Sequence, residues 1–243
     1  MDNMENKRDK KTIQINKNDS TNIINNYLQD LIDSDNDNNL KKADLISFWL
    51  KSYTNYIKNE NSFEPLKQEN YKRGNIVKLD LGFNIGNEEG GLHYAIVVNN
   101  PDKSSWLVTI VPLTSKKSNS KLHKSEVSLG FSLVVDIITK LSYLYVNISS
   151  AAKDTKTIEN RQERIKEQKK LKRMCVELQK YINEAKKMKN NESIALVGNI
   201  TTISKQRIYT PTIKNKFLKG ISISESQLDL IDKKIIELYT HPH

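Results

Sequence analysis

The sequence predicts an α+β fold in which an antiparallel β-barrel is flanked by helices. Apolar residues recur every three or four positions in N-terminal, middle and C-terminal segments, which is the period of amphipathic helices. After Pro65 the apolar runs become short and are bounded by turn residues, as in strands. Several short strands leave no open edges when their sheet closes on itself, so we expect a compact, partly closed barrel.

Composition permits a folded core and excludes several classes of site. The 243 residues are 37% hydrophobic and 28% charged, enough for one medium domain with extensions or for two small ones. Cys175 is the only cysteine, so no internal disulfide can form and no cysteine-rich zinc site is available. The polar N-terminus and the interruption of the longest apolar segment by Asp136 and Lys140 predict neither signal peptide nor membrane span. A reducing cytoplasm fits these features.

The basic charge has two sources. The formal net charge is +10, and 33 of the 39 basic residues are lysine. This lysine bias, with many asparagines and isoleucines, is typical of an AT-rich bacterial genome, so part of the charge reflects codon usage. A basic surface still attracts polyanions such as nucleic acids.

The first 66 residues divide into a leader and a helical extension. Residues 1–20 are polar with almost no apolar spacing, which predicts a disordered leader. Residues 23–32 and 40–57 each place apolar side chains on one helix face, and a run of Asp, Asn and Ser separates them. We expect residues 21–66 to form a separable helical extension.

The remaining elements follow along the chain. Strands are predicted over residues 74–81, 94–99, 106–113, 125–129 and 194–203, and helices over 152–189 and 225–239. Residues 131–148 fit either a strand pair or a buried helix. Residues 151–190 hold 13 Lys and Arg against 6 Asp and Glu. Their helix is interpreted either as a solvated lysine-rich helix or as an RNA-binding arm.

A glycine-rich acidic loop, Gly86 to Gly91, separates the first two predicted strands. Its glycines suit positive φ and close backbone approach, as in a mobile loop over a binding groove. The loop lacks the strand-to-helix context of a P-loop or a dinucleotide motif, which argues against nucleotide binding. Glu88 and Glu89 are too close in sequence to be interpreted as an acid/base pair, and we assign them to the solvated loop.

Four blocks in order, the first made of two segments, resemble the MazF/PemK ribonuclease toxins. RGNIVKLDL (73–81) and GNEEGGLHYAIVVNN (86–100) resemble the first two strands of that family and their loop. VTIVPLTS (108–115) resembles its strand ending in threonine or serine, and SEV (125–127) resembles the next short strand. SIALVGNITTISKQR (193–207) resembles the strand and turn before its last helix. The resemblance extends over about half of the chain.

The resemblance implies an SH3-like barrel over residues 71–240, interrupted by a helical insertion at about 131–192. It also implies a homodimer that cleaves single-stranded RNA such as mRNA and is neutralised by an antitoxin protein. In this family the 2′-OH of the RNA is the nucleophile, and neither metal nor cofactor takes part. We therefore expect a cytoplasmic endoribonuclease with no membrane association.

The catalytic residues implied by the resemblance are His93, Thr114 and Ser115. Thr114 matches the threonine or serine at the end of the third strand, and Ser115 adjoins it. His93 stands where the family has an arginine, and Tyr94 replaces the proline that commonly follows. Arginine stays protonated, whereas histidine titrates near neutrality and can act as a base or an acid.

Basic residues near these positions are predicted to bind RNA. Arg73 precedes the first strand and can clamp a phosphate, and the loop after Thr114 supplies Lys116, Lys117, Lys121 and Lys124. A surface arginine and a solvated loop are the alternative interpretations. The change from arginine to histidine leaves a second function open, a non-catalytic nucleic-acid- or protein-binding module on the same fold.

Overall fold

A computed structural model describes residues 9–117, 121–187 and 191–240. The chain divides into two compact units between Asn59 and Glu60. The N-terminal unit is a helical hairpin, and the C-terminal unit holds the sheet and three further helices. None of the helices in these ranges combines the length and apolar composition that a membrane span requires.

The N-terminal unit consists of α1 (Lys10–Asp33) and α2 (Asp37–Asn59). The Asp9 carboxylate caps α1 by accepting hydrogen bonds from the backbone amides of Lys11 and Thr12 at 3.2 and 3.0 Å. This cap starts the helix at Lys10, which corrects the disordered leader expected over residues 1–20. Residues 1–8 of that expected leader lie outside the described residues.

The C-terminal unit is built on one antiparallel sheet of seven strands. The strands are β1 (Ile76–Asp80), β2 (Leu92–Val97), β3 (Leu107–Ser115), β4 (Glu126–Gly130), β5 (Ser193–Leu196), β6 (Thr201–Ser204) and β7 (Ile208–Thr210). Their order is β4-β5-β3-β2-β1-β7, and β6 pairs with β3 beside β5. The mixture of helices with an antiparallel sheet agrees with the predicted class.

Closure of the sheet into a barrel is not confirmed. Within the described strands, β4 and β7 end the strand order and do not pair with each other. The β4 edge is instead covered by α5 (Glu225–Tyr239), where the Gln227 side-chain amide donates to the Leu129 carbonyl at 2.7 Å. A side chain of this helix therefore pairs with one backbone carbonyl at the edge of β4, where a neighbouring strand would pair in a closed barrel.

Both faces of the sheet are buried. Successive residues of β1, such as Ile76 and Val77, point to opposite faces and belong to two different apolar clusters. The Ile76 cluster includes the inner sides of α3 (Ser132–Lys156), α5 and the loop residue Phe217. The Val77 cluster lies among β1, β2, β3, β6 and β7. The two clusters define an Ile76 face and a Val77 face of the sheet.

Two long helices separate β4 from β5, in the interval where the insertion is predicted. α3 settles the ambiguous residues 131–148 as helix, and α4 (Arg161–Lys187) follows it as the second arm of a hairpin. The Tyr181 ring on α4 contacts Phe217 at a centroid distance of 5.2 Å. The Lys78 ammonium on β1 pairs with Glu184 on α4 at 2.6 Å. The end of the predicted helix, residues 188–189, lies outside the described residues.

Candidate active site

The loop between β1 and β2 folds back onto its own start through two glycines. The Gly91 amide donates to the Gly82 carbonyl at 2.6 Å, and the Gly91 φ of 76° favours glycine. A Cβ on Gly90 would lie 2.9 Å from the Gly82 carbonyl oxygen, so a side chain there would force the backbone apart. This fold-back places Glu89 directly before β2.

His93 lies at the beginning of β2 and contacts two acceptors. Its Nε2 is 3.4 Å from the Glu89 Oε2, and its Nδ1 is 3.4 Å from the Leu113 carbonyl oxygen on β3. The carbonyl and the carboxylate can both only accept, and a neutral imidazole has one N–H, so it donates to one of the two at a time. Glu89, which we assigned to a solvated loop, therefore belongs to the surroundings of His93.

The strand register separates the other two predicted catalytic residues. Tyr94 pairs with Leu113, so the next step of the same register places His93 beside Thr114. Residues directly opposite on antiparallel strands share a sheet face, which puts Thr114 with His93 on the Val77 face. Ser115 pairs with Ser193 and lies on the opposite face because side chains alternate. The register thus puts His93 and Thr114 on one sheet face and Ser115 on the other.

A cleft of about 440 Å³ opens on the Val77 face, and neither His93 nor Thr114 is part of its lining. Its lining includes Glu89, Pro112, Thr202 and Arg207. The Arg207 Nε donates to the Asp80 carbonyl oxygen at 2.7 Å, which fixes the arginine at the end of β1. Arg207 ends the segment 193–207 that resembles the toxin family, but the sequence analysis did not predict it as a site residue. Its place in the cleft depends on this hydrogen bond to Asp80, which lies 127 residues away in the sequence.

The predicted RNA-binding residues have other surroundings. The Arg73 guanidinium donates to the Val98 carbonyl and pairs with Asp232 on α5. Arg73 also lies six residues from Leu79, the partner of His93, so about 20 Å of strand separates the two. These contacts give Arg73 a structural place rather than a place at the cleft.

The basic loop after β3 is only partly described. The Lys116 ammonium pairs with Glu192 at 2.6 Å, and its backbone amide donates to the Glu192 carbonyl at 2.8 Å. Lys117, Lys121 and Lys124 are exposed. Residues 118–120 lie outside the described residues. Lys116 thus connects the end of β3 to the start of β5. RNA binding by the other three lysines stays a prediction.

Tyr94, next to His93, points to the Ile76 face. Its ring lies 5.3 Å from the Lys78 ammonium, and its hydroxyl is buried without a hydrogen-bond partner among the described residues. Burial is the main cause that raises the pKa of the Tyr94 phenol above its ordinary value of 10.0, and the nearby Glu184 carboxylate adds to it. Tyr94 therefore belongs to the packing between β1 and α4 and not to the cleft.

Within the described ranges, no three His, Cys, Asp or Glu side chains come together as they would around a metal ion. The polar groups that line the cleft are carboxylates, hydroxyls, amides and an arginine, and His93 adjoins them through its contact with Glu89. Such groups can transfer protons and hold a phosphate by hydrogen bonds and charge.

The chain is similar to known toxins. Residues 72–157 match the family of PemK-like, MazF-like toxins of type II toxin-antitoxin systems. The resemblance predicted from sequence is thereby confirmed over β1 to α3. The form-I crystal structure of MazF from Deinococcus radiodurans also matches, with 13% identity and a TM-score of 0.37. That match covers 70% of this chain and 96% of the other. No curated protein matches the chain.

Proposed function

We propose that this protein is an endoribonuclease that cleaves single-stranded RNA by attack of the RNA's own 2′-OH. The observation that carries the proposal is the strand register that puts His93 and Thr114 on one sheet face, within the segment that matches PemK-like toxins, where His93 contacts Glu89 of the cleft lining. In the reaction the 2′-OH gives its proton to a base and its oxygen bonds to phosphorus, the bond from phosphorus to the 5′-oxygen breaks, and the 5′-oxygen takes a proton from solvent. The products are a 2′,3′-cyclic phosphate and a 5′-OH.

His93 is the base in this proposal. In the tautomer that donates from Nδ1 to the Leu113 carbonyl, the Nε2 lone pair is available to take the 2′-OH proton. The Glu89 carboxylate now lies in front of Nε2 at 3.4 Å. An approaching phosphate repels this carboxylate, so the Glu89 side chain turns away as the phosphate reaches Nε2. Glu89 thus marks the position that the substrate takes.

Thr114 and Arg207 hold the phosphate in this proposal. The Thr114 hydroxyl lies on the same face as His93 and can donate to a non-bridging oxygen as negative charge grows there. Arg207 lines the same cleft and adds a permanent positive charge. Ser115, on the opposite face, takes no part in the proposed reaction.

The test is incubation of purified protein with long single-stranded RNA in EDTA, followed by mapping of the cut sites and their end groups. His93→Ala should lower the cleavage rate by about 10²- to 10⁴-fold, as expected for loss of a general base. Thr114→Ala should lower it by about 10²-fold, as for loss of one transition-state donor. Matched controls are His123→Ala and Thr54→Ala, because both residues are exposed and lie outside the cleft.

Three outcomes contradict parts of this proposal. Full activity of His93→Ala removes His93 from the mechanism. Loss of activity in Ser115→Ala without loss of folding contradicts the separation of the two faces. RNA binding without any cut product over a pH series would favour the non-catalytic binding module on the same fold.

The proposal includes control by an antitoxin, as the type II toxin family implies. We further propose a cytoplasmic homodimer, following the same resemblance. The antitoxin is sought as an acidic protein encoded beside this chain, and its addition should abolish cleavage. Size-exclusion chromatography with light scattering tests the dimer, and a monomer that cleaves RNA at full rate would contradict it.

A further inference from the structure

A second surface, on the Ile76 face, has the composition of a nucleic-acid groove. It is a groove of about 950 Å³ between α4 and the segment from Tyr209 to Asn215. We call it the α4 groove. Its cations come from both sides and are exposed: Lys169, Lys172, Arg173, Lys180 and Lys214.

The acidic groups of the α4 groove are already engaged by the protein. Glu184 pairs with Lys78 at 2.6 Å, and Glu177 accepts a hydrogen bond from the Tyr181 hydroxyl. Among the described residues, the five groove cations form no ion pair with a carboxylate. The positive charge of the groove is therefore open to an external anion.

The α4 groove also carries an aromatic ring. Tyr209 on β7 lines the groove and is 52% exposed. Lysines that follow a backbone, combined with an exposed aromatic ring that stacks on a base, are the usual means of binding single-stranded nucleic acid. From Lys169 to Lys180 the cations extend over about 16 Å of helix. This composition favours an RNA strand over an acidic peptide, because acidic side chains have no base that could stack on the Tyr209 ring.

The groove and the cleft meet at one edge of the sheet. Arg207 lines the cleft on the Val77 face, and Tyr209 lines the α4 groove. Two residues of chain span about 7 Å: Arg207 ends the turn directly before β7, and Tyr209 lies within that edge strand. An RNA strand that leaves the cleft around this edge enters the α4 groove.

We infer that the α4 groove binds the RNA substrate on one side of the cleavage position. This inference rests on the proposed function for the identity of the ligand as RNA. It assigns to α4, which lies outside the family match over residues 72–157, a role in substrate binding. RNA long enough to fill both surfaces binds more tightly than RNA that fills the cleft alone.

The experiment measures binding of a 2′-O-methyl RNA oligonucleotide, which has no free 2′-OH and cannot be cleaved, as a function of salt. The variant Lys172→Gln/Lys180→Gln should reduce the slope of log affinity against log salt by about 1.4, because each lost contact to a single strand contributes about 0.7. The matched control is Arg164→Gln/Lys186→Gln, which removes the same charge from exposed positions of α4 outside the groove. Its slope should equal that of the parent protein.

A second variant tests the ring. Tyr209→Ala should weaken binding by about 5- to 140-fold, the loss expected for one stacked base. Tyr145→Ala is the control, since Tyr145 is 64% exposed on α3 and lines neither surface.

Equal slopes in the groove variant and its control would overturn the inference. If the groove variant instead loses affinity for a poly-glutamate peptide, the surface binds an acidic protein segment. Failure of the proposed function has a different signature: the parent protein then leaves unmodified RNA uncut, whatever the salt slopes show.

Discussion

Removal of the ion pair between Lys78 and Glu184 should destabilise the attachment of the helical insertion to the sheet. The pair joins β1 to α4, and the two side chains are only 11% and 20% exposed. Glu184→Gln keeps the size of the side chain and removes its charge, which leaves the Lys78 ammonium buried without its carboxylate. Loss of one partner of a buried pair costs about 3–5 kcal/mol.

Two aromatic rings also contact the Lys78 ammonium. It lies 5.3 Å from the Tyr94 ring centroid and 5.9 Å from that of Tyr209. Each such contact stabilises a cation by about 0.5–1 kcal/mol in the parent protein and in the variant alike, so it cancels from the difference between them. We therefore expect Glu184→Gln to lower the free energy of unfolding by about 3–5 kcal/mol, and the melting temperature by about 6–20 °C.

Urea unfolding of the full chain, followed by circular dichroism at neutral pH, measures this change from the midpoint at a constant slope m. The matched control is Glu167→Gln, which breaks the Lys170–Glu167 pair on the same helix, where Lys170 is 66% exposed. That surface pair should contribute less than about 1 kcal/mol. If the two variants lose the same stability, the ion pair does not hold α4 to the sheet.

Two further predictions concern individual polar groups. Tyr94→Phe should leave the free energy of unfolding unchanged or raise it by about 1 kcal/mol, because the buried hydroxyl gains no hydrogen bond within the described structure, and a clear loss of stability in urea unfolding would contradict this. The Glu192 pKa is lowered by hydrogen bonds from Lys116 and Ser128, so its contribution to stability is complete above its ordinary pKa of 4.5 and is lost as pH falls through the lower folded value. Glu192→Gln should therefore be less stable than the parent protein at pH 7, and this difference should shrink below pH 4; a constant difference would refute the assignment.

Local patterns sufficed for most elements but not for the middle of the chain. The strands β1 to β4 were predictable because short apolar runs end at turn residues. The α3 region stayed ambiguous for a physical reason. Val135, Ile138 and Val146 are more than half exposed, so apolar side chains lie on both its inner and outer sides and obscure the helical period. The open sheet was not predictable, since covering an edge with α5 requires contacts between distant segments.

The candidate site shows the same division between local and long-range information. Once β2 and β3 are paired, register alone places Thr114 with His93 and sends Ser115 to the other face. The contact between Glu89 and His93 depends on the close approach of Gly90 to Gly82, which no spacing rule describes. Arg207 reaches the cleft only because β7 pairs with β1.

The sequence left the role of α4 open between a solvated helix and an RNA-binding arm, because a count of charges does not show on which side of the helix they lie. In the folded chain the helix has three sides with different surroundings. Leu178 and Tyr181 are buried, Arg164 and Lys186 face outward, and Lys172 is among the cations that line the groove. The outward side therefore fits the solvated interpretation, and the groove side is the one for which we infer RNA binding. Charge removed from the groove side should change RNA binding, whereas the same charge removed from the outer side should not.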